Sequence, residues 1–352
     1  MPNLRQSAIR GGLDVLYLTG AHRMLKPLYG GVGIIFTLHH VRPQRTGHFQ
    51  PNRFLEITPN FFEGAILHLK RRGIDLISMD EVARRLTEQD FSRHFAAITF
   101  DDGYRDNLEH ALPILARHEV PFALYIATSF ADKLGELWWV TLERVIAKTD
   151  RIVIEIDGQE RFFYCERSSR KNEVYAQIYW WLRNIKDETR MRTIVRDLSQ
   201  RYGVDPDLPC RELCMSWPEI GRIASSPLAT IGAHTVNHVM LKKRPLEQAV
   251  EEMRRSREVI EASLGKRCEH FAYPVGDKTT AAAREFRLTQ DLGFKTAVTT
   301  RPGVLYPEHR EYLTALPRVS LNGHFQALRF VDAFLSGAPF ALLNRFKRVD
   351  TA

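Results

Sequence analysis

The chain has 352 residues, 44% hydrophobic and 26% charged, a balance that supports a large buried core and excludes a disordered or fibrous protein. Its net charge of +8 and pI near 9.3 admit anionic partners, but no basic run, helix-turn-helix pattern or zinc-finger spacing supports nucleic acid. Cys165, Cys210, Cys214 and Cys268 lack the density of a disulfide framework and the spacing of a structural zinc site, so buried free thiols are expected. The start of the chain lacks the ordered charged, apolar and small-residue regions of a secretory signal, and no apolar run is long enough to span a bilayer. A cytoplasmic protein is expected, with peripheral contact at the inner face of the membrane left open.

In chain order, "GIIFTLHH", "IDLIS", "AAITF", "PFALYIAT", "LATIGAH", "HFAYP", "FKTAVTT" and "LPRVS" are short β-branched or aromatic runs that read as strands. Between them, segments such as "TPNFFEGAILHLKRRG", "MDEVARRL" and "RPLEQAVEEMRRSREVIEASLG" carry apolar residues at helical intervals, and several end in Gly. This alternation predicts parallel strands with crossover helices, in a closed or nearly closed α/β barrel or, alternatively, a doubly wound open sheet. The pattern breaks over 132–215, where "RIVIEIDGQERFFYCE" predicts a hairpin about Asp157-Gly158 and the following stretch one or two helices. The expected organisation is a basic and apolar segment over 1–30, a barrel over 31–131 and 216–322, a subdomain inserted over 132–215, and an amphipathic basic segment over 323–352. Trp138, Trp139, Trp180 and Trp181 in the insertion could stack on sugar rings, though at least two are expected to form its core.

"AAITFDDGYRDN" runs a strand straight into two carboxylates and a turn. Successive strand side chains face opposite ways, so one of Asp101 and Asp102 should point inward, at the carboxyl end of a strand where α/β folds collect ligands. A DDG triplet alone is more often a turn or a helix cap. "TIGAHTVNHVML" supplies what would complete a site, since His234 and His238 on a helical turn would face one ion. With Asp102 they give three ligands and an open position, the pattern of a catalytic zinc centre.

"TFDDGY", "HTVNH" and "FAYPVG", in that order between about Ile34 and Asn322, resemble the motifs of the polysaccharide deacetylases with the NodB-homology domain, carbohydrate esterase family four. The resemblance implies a deformed (β/α)7-type barrel that removes N-acetyl groups from amino sugars with a divalent metal, zinc first. It implies metal ligands Asp102, His234 and His238, a base at Asp101, and a substrate and oxyanion loop drawn from Tyr104, Tyr273, Pro274, Val275 and Gly276. Ala272 stands where many members have an arginine, and the late leucine-histidine motif that supplies their acid is absent. "IIFTLHHV" is similar to the "Y-H-x-V" stretch of the biofilm poly-N-acetylglucosamine deacetylase branch, which selects His39 as the acid and leaves His40 facing outward. Arg318 in "LPRVS" is the candidate to orient Asp101.

The expected function is N-deacetylation of an N-acetylglucosamine-containing oligo- or polysaccharide. Hydrolysis of another small amide, or a carbohydrate-binding pseudoenzyme, are the alternatives. The terminal segments interleave apolar and basic residues. That pattern suits packing across the barrel or a peripheral contact with anionic lipid and a lipid-linked saccharide.

Overall fold

A computed structural model describes residues 2–156 and 158–351. Seven strands form the barrel: β1 (Gly33–Leu38), β2 (Phe95–Phe100), β3 (Phe122–Ile126), β4 (Ala229–Ala233), β5 (His270–Ala272), β6 (Thr296–Pro302) and β7 (Leu316–Ser320). All neighbours are parallel, in the spatial order β1-β7-β6-β5-β4-β3-β2. Pairing of β1 with β2 from Gly33–Phe95 to Leu38–Phe100 closes the ring, which rules out the open sheet. That close approach needs a glycine, because a Cβ at Gly33 would lie 2.3 Å from the Phe95 ring. The two-residue strand Asp75–Leu76 adds to the start of β2 without entering the ring.

Strand alternation sorts the side chains. Ala96, Ile98 and Phe100 of β2 join Ile34, Phe36 and Leu38 of β1 in the layer beneath the outer helices. Phe95 and Ala97 pack inside with Ile35, Ala123, Tyr125, Val298 and Leu316. The floor of the barrel is therefore largely apolar, although His270 is buried against the Thr296 hydroxyl at the amino-terminal end of β5 and β6, at 2.8 Å. Local signals set the crossover helices: the Thr58 hydroxyl accepts from Phe61 N–H, the Ser78 hydroxyl accepts from Glu81 N–H, and Ser216 N–H donates to Glu219.

Residues 132–215 contain the helices Trp138–Lys148, Ser168–Asn184 and Glu188–Arg201 and an antiparallel hairpin, Arg151–Ile156 with Gln159–Tyr164. The predicted turn residue Asp157 lies outside the described residues. These elements share an apolar cluster that also takes in Tyr104, Phe130 and Met240 from the barrel mouth. Trp138 and Trp139 are core, whereas Trp180 is exposed. All four cysteines are free and buried. Among the described residues no helix is long and apolar enough to cross a membrane.

Candidate metal centre

Continuing the alternation of β2 past Phe95, Ala97 and Thr99 turns Asp101 inward. Its two carboxylate oxygens meet the guanidinium of Arg318, which donates from Nη1 to Oδ1 at 2.8 Å and from Nη2 to Oδ2 at 2.6 Å. Arg318 is itself held by the Thr99 hydroxyl and the Thr299 carbonyl, at 3.0 and 2.8 Å, and is fully buried. A two-pronged pair of this kind fixes the carboxylate plane as well as its charge. Burial pushes the Asp101 carboxyl up, but Arg318, with His234 and His39, outweighs it and holds it below the usual range.

Asp102 follows with φ 73°, a left-handed backbone that swings its carboxylate across the strand end. Its Oδ1 lies 3.4 Å from His234 Nε2 and 3.3 Å from His238 Nε2, and it accepts no hydrogen bond among the described residues. The His234 Nδ1 is 2.7 Å from the Ala272 carbonyl, which makes Nδ1 the protonated nitrogen and leaves the Nε2 lone pair facing Asp102. The position that lacks the expected arginine thus contributes through its backbone. His238 lies against the rings of Phe130 and Trp139. Burial pushes the Asp102 carboxyl up, yet His238 and His234 hold it well below the usual range, in the ionised form a ligand requires.

Those two separations match the roughly 3.3 Å edge of a tetrahedron with bonds of about 2.0–2.1 Å, the dimension of a zinc site. One carboxylate oxygen and two imidazole nitrogens, all buried and within 4.8 Å of one another, fit a divalent ion. An orphaned carboxylate oxygen in a dry site is otherwise costly.

The histidines do not share a helical turn, as their spacing suggested. Residues 234–240 form an irregular loop in which Thr235 and His238 are left-handed, with φ 64° and 51°. Carboxylates hold this loop in place. Glu252 accepts from Val236 N–H and Asn237 N–H, both at 2.9 Å. The buried Glu188, at the start of the helix Glu188–Arg201, accepts from Met240 N–H at 2.9 Å and from Arg192, which donates onward to the Asn237 and His238 carbonyls. Glu188→Ala is expected to weaken metal affinity by about 10–100-fold without touching a ligand, as loss of outer-shell support does, measurable by competition with a chromophoric chelator.

His39 continues the inward register of Ile35 and Thr37; burial pushes its imidazole below the ordinary value, and the nearby charges of Asp102 and Asp101 oppose that shift without cancelling it. His40 turns the other way, but not to solvent. It is buried, with Nδ1 2.6 Å from Asp106 and its ring stacked on Tyr104 at 3.6 Å. Tyr104 is also buried, and its hydroxyl has no partner among the described residues, nor has Trp139 Nε1.

The predicted substrate loop divides. The Tyr273 ring packs under the outer helices with Phe271 and Phe286, and its hydroxyl binds Thr289 and the Thr314 carbonyl, so the side chain does not line the mouth. Val275 and Gly276 form a left-handed turn tied to β6 through Thr300, whose hydroxyl donates to the Val275 carbonyl and whose N–H donates to the Gly276 carbonyl. No acceptor among the described residues takes the Val275 N–H. Thr37, Thr99, Glu188, Glu252 and the Ala272 carbonyl carry no motif that marks them as part of the site; only the inward register of the two threonines was open to a two-residue period.

Residues 88–297 match the family model of the polysaccharide deacetylases. No curated protein matches the chain. Among solved structures it is similar to the Streptococcus pyogenes deacetylase PplD in complex with acetate, at 16% identity and a TM-score of 0.55, over 82% of this chain and 92% of that one. It is also similar to IcaB from Ammonifex degensii, at 16% identity and a TM-score of 0.52, over 86% and 97%. A de-N-acetylase from Aggregatibacter actinomycetemcomitans matches at 13% identity and a TM-score of 0.54, over 86% and 99%. At these identities the likeness is one of fold.

Proposed function

The chain belongs to the polysaccharide deacetylase family, and we propose from this that it is a metal-dependent hydrolase removing N-acetyl groups from an N-acetylglucosamine-containing oligo- or polysaccharide. The observation that carries the reading is a buried Asp102–His234–His238 donor set beside a second carboxylate, Asp101, that is not one of the donors. A divalent ion, zinc first, held by the three donors would supply Lewis acidity to the acetyl carbonyl and to water.

The residues then divide the proton traffic. Asp101 accepts the proton of the attacking water, and Arg318 keeps that carboxylate ionised and aimed. The Val275 N–H is available to the oxyanion that forms as the carbonyl carbon becomes tetrahedral. When the C–N bond breaks, the amine must leave with a proton, which His39 delivers, and acetate remains. Tyr104 and the aromatic wall of Phe130 and Trp139 exclude water around the donors.

Acetate release from a panel of chito-oligosaccharides, measured together with metal content, tests the reading; metal-loaded protein that released none would overturn it. The acid is tested with an N-acetyl substrate against an activated acetate ester, whose leaving group needs no proton. His39→Ala is expected to lose roughly 100-fold or more on the amide and far less on the ester. Parent-level amide turnover in His39→Ala, or a loss confined to His40→Ala, would remove His39 from the role.

A further inference from the structure

The terminal segments carry apolar residues that the fold leaves outside. Much of their apolar content does pack: Leu13 joins the main core, as do Phe330, Val331, Phe334, Leu335 and Phe340 of the helices Leu328–Leu335 and Ala338–Leu343. A second set does not. Leu18, Met24, Leu28, Leu342, Leu343 and Phe346 are each between 59 and 78% exposed.

These residues come from opposite ends of the chain and meet along a tight seam. Gly337 sits against the Tyr29 carbonyl so closely that a Cβ there would be 1.7 Å from the oxygen, and the Tyr306 hydroxyl donates to the same carbonyl at 2.8 Å. The Tyr29 and Phe346 rings are 5.9 Å apart, and Leu28 and Phe346 line one shallow cavity of about 330 Å³. Met24 and Leu28 are one helical turn apart on the helix Ala21–Tyr29. Leu28 and Phe346, with Met24 one turn along, thus meet at the junction of the two ends, where the helix carrying Leu342 packs against the helix Ala21–Tyr29. A contiguous apolar patch of this kind on a folded surface marks a contact.

Charge identifies what it contacts. Residues 1–30 and 323–352 hold eight Lys and Arg against three Asp, which accounts for five of the eight net positive charges of the chain. All three acids already face a cation: Asp14 meets Arg329, Asp332 meets Arg72, and Asp350 meets Lys278 and Arg301. Arg10, Arg23, Arg345 and Lys347 pair with no carboxylate among the described residues. Exposed Leu, Met and Phe beside unpaired cations, with no free acid between them, match the boundary between anionic headgroups and acyl chains.

We propose that the paired terminal segments form a peripheral docking surface for an anionic lipid bilayer, with Met24, Leu28, Leu342 and Phe346 entering the interface. The test is co-sedimentation of the full chain with vesicles of phosphatidylglycerol mixed with phosphatidylcholine, and with phosphatidylcholine alone. The intact protein is expected to bind the anionic vesicles at least about tenfold more strongly. Leu28→Asp with Phe346→Asp should lower that binding at least about tenfold, with metal content and acetate release unchanged. Arg345→Glu with Lys347→Glu should lower it by a similar factor at low salt and less at high salt, which carries the test should the first variant misfold. Absence of binding by the intact chain, equal binding to both vesicle types, or unchanged binding by the charge variant would overturn the proposal. So would sedimentation of the lipid-free parent as a dimer that Leu28→Asp with Phe346→Asp splits, which would assign the patch to a second copy.

Discussion

Purified His234→Ala is expected to carry no divalent ion and to release acetate from chito-oligosaccharides at least about a thousandfold more slowly than the parent chain. Lewis-acid assistance is worth several kcal/mol of barrier, and each 1.4 kcal/mol or so is a factor of ten. His238→Ala and Asp102→Asn should behave alike, because three donors leave none to spare. Metal content by atomic emission separates this from misfolding when read beside far-UV circular dichroism. A His234→Ala protein that kept full metal and full turnover would mean that the donors have been misassigned. The substitution also frees the Ala272 carbonyl from its 2.7 Å contact. His234→Gln keeps polar contact possible there but removes the imidazole, so it should be as inactive as His234→Ala even if it folds better.

The strands were readable because each is a short run with β-branched and aromatic residues punctuated by turns, and the two-residue period required that one of Asp101 and Asp102 point inward without saying which. A closed or nearly closed barrel was expected, but which strands would meet to close it was not readable. Closure rests on β1 meeting β2 across 62 residues of chain, a pairing that local pattern does not encode. The same limit explains His40. Alternation turned it away from Asp101, but that Asp106 would bury it at 2.6 Å is a tertiary fact. Tyr273 shows a signal present and unused: Ala272 faces inward, so its neighbour must face the helices. The histidine pair was identified by spacing, yet a loop with two left-handed residues, not a helical turn, brings the imidazoles together. Left-handed backbone at Asp102, Thr235, His238 and Val275 costs of order 1–3 kcal/mol each, and around the last three it persists because Glu188, Glu252 and Thr300 tie the flanking backbone down. No local rule would choose those conformations, which is why the centre was legible in its residue types and not in its geometry.

Arg318→Met should be the most damaging single change outside the donors, through stability as well as rate. The Arg318–Asp101 pair is wholly buried, and removing the cation leaves a carboxylate with, among the described residues, only the Thr37 hydroxyl, at 3.4 Å, as a side-chain donor. Breaking a buried pair from one side costs about 3–5 kcal/mol, which urea denaturation would read as a lowered midpoint. Without the cation, burial drives Asp101 toward its neutral form, which cannot accept a proton from water. Turnover should fall by roughly 10²–10⁴-fold, the usual worth of a general base, while the metal stays bound. Asp101→Asn alone should lose a similar factor with the ion retained. The double variant Asp101→Asn with Arg318→Met separates the two effects. It removes both charges, so it should recover much of the stability lost by Arg318→Met, and no activity. Arg318→Lys restores a charge without the planar fork or the contacts to Thr99 and Thr299, and should fall between the parent and Arg318→Met in both readouts. If Arg318→Met turned over at the parental rate, Asp101 would need no cation to work. If Asp101→Asn lost the ion as completely as Asp102→Asn, Asp101 would be a fourth donor and the base would have to be sought elsewhere.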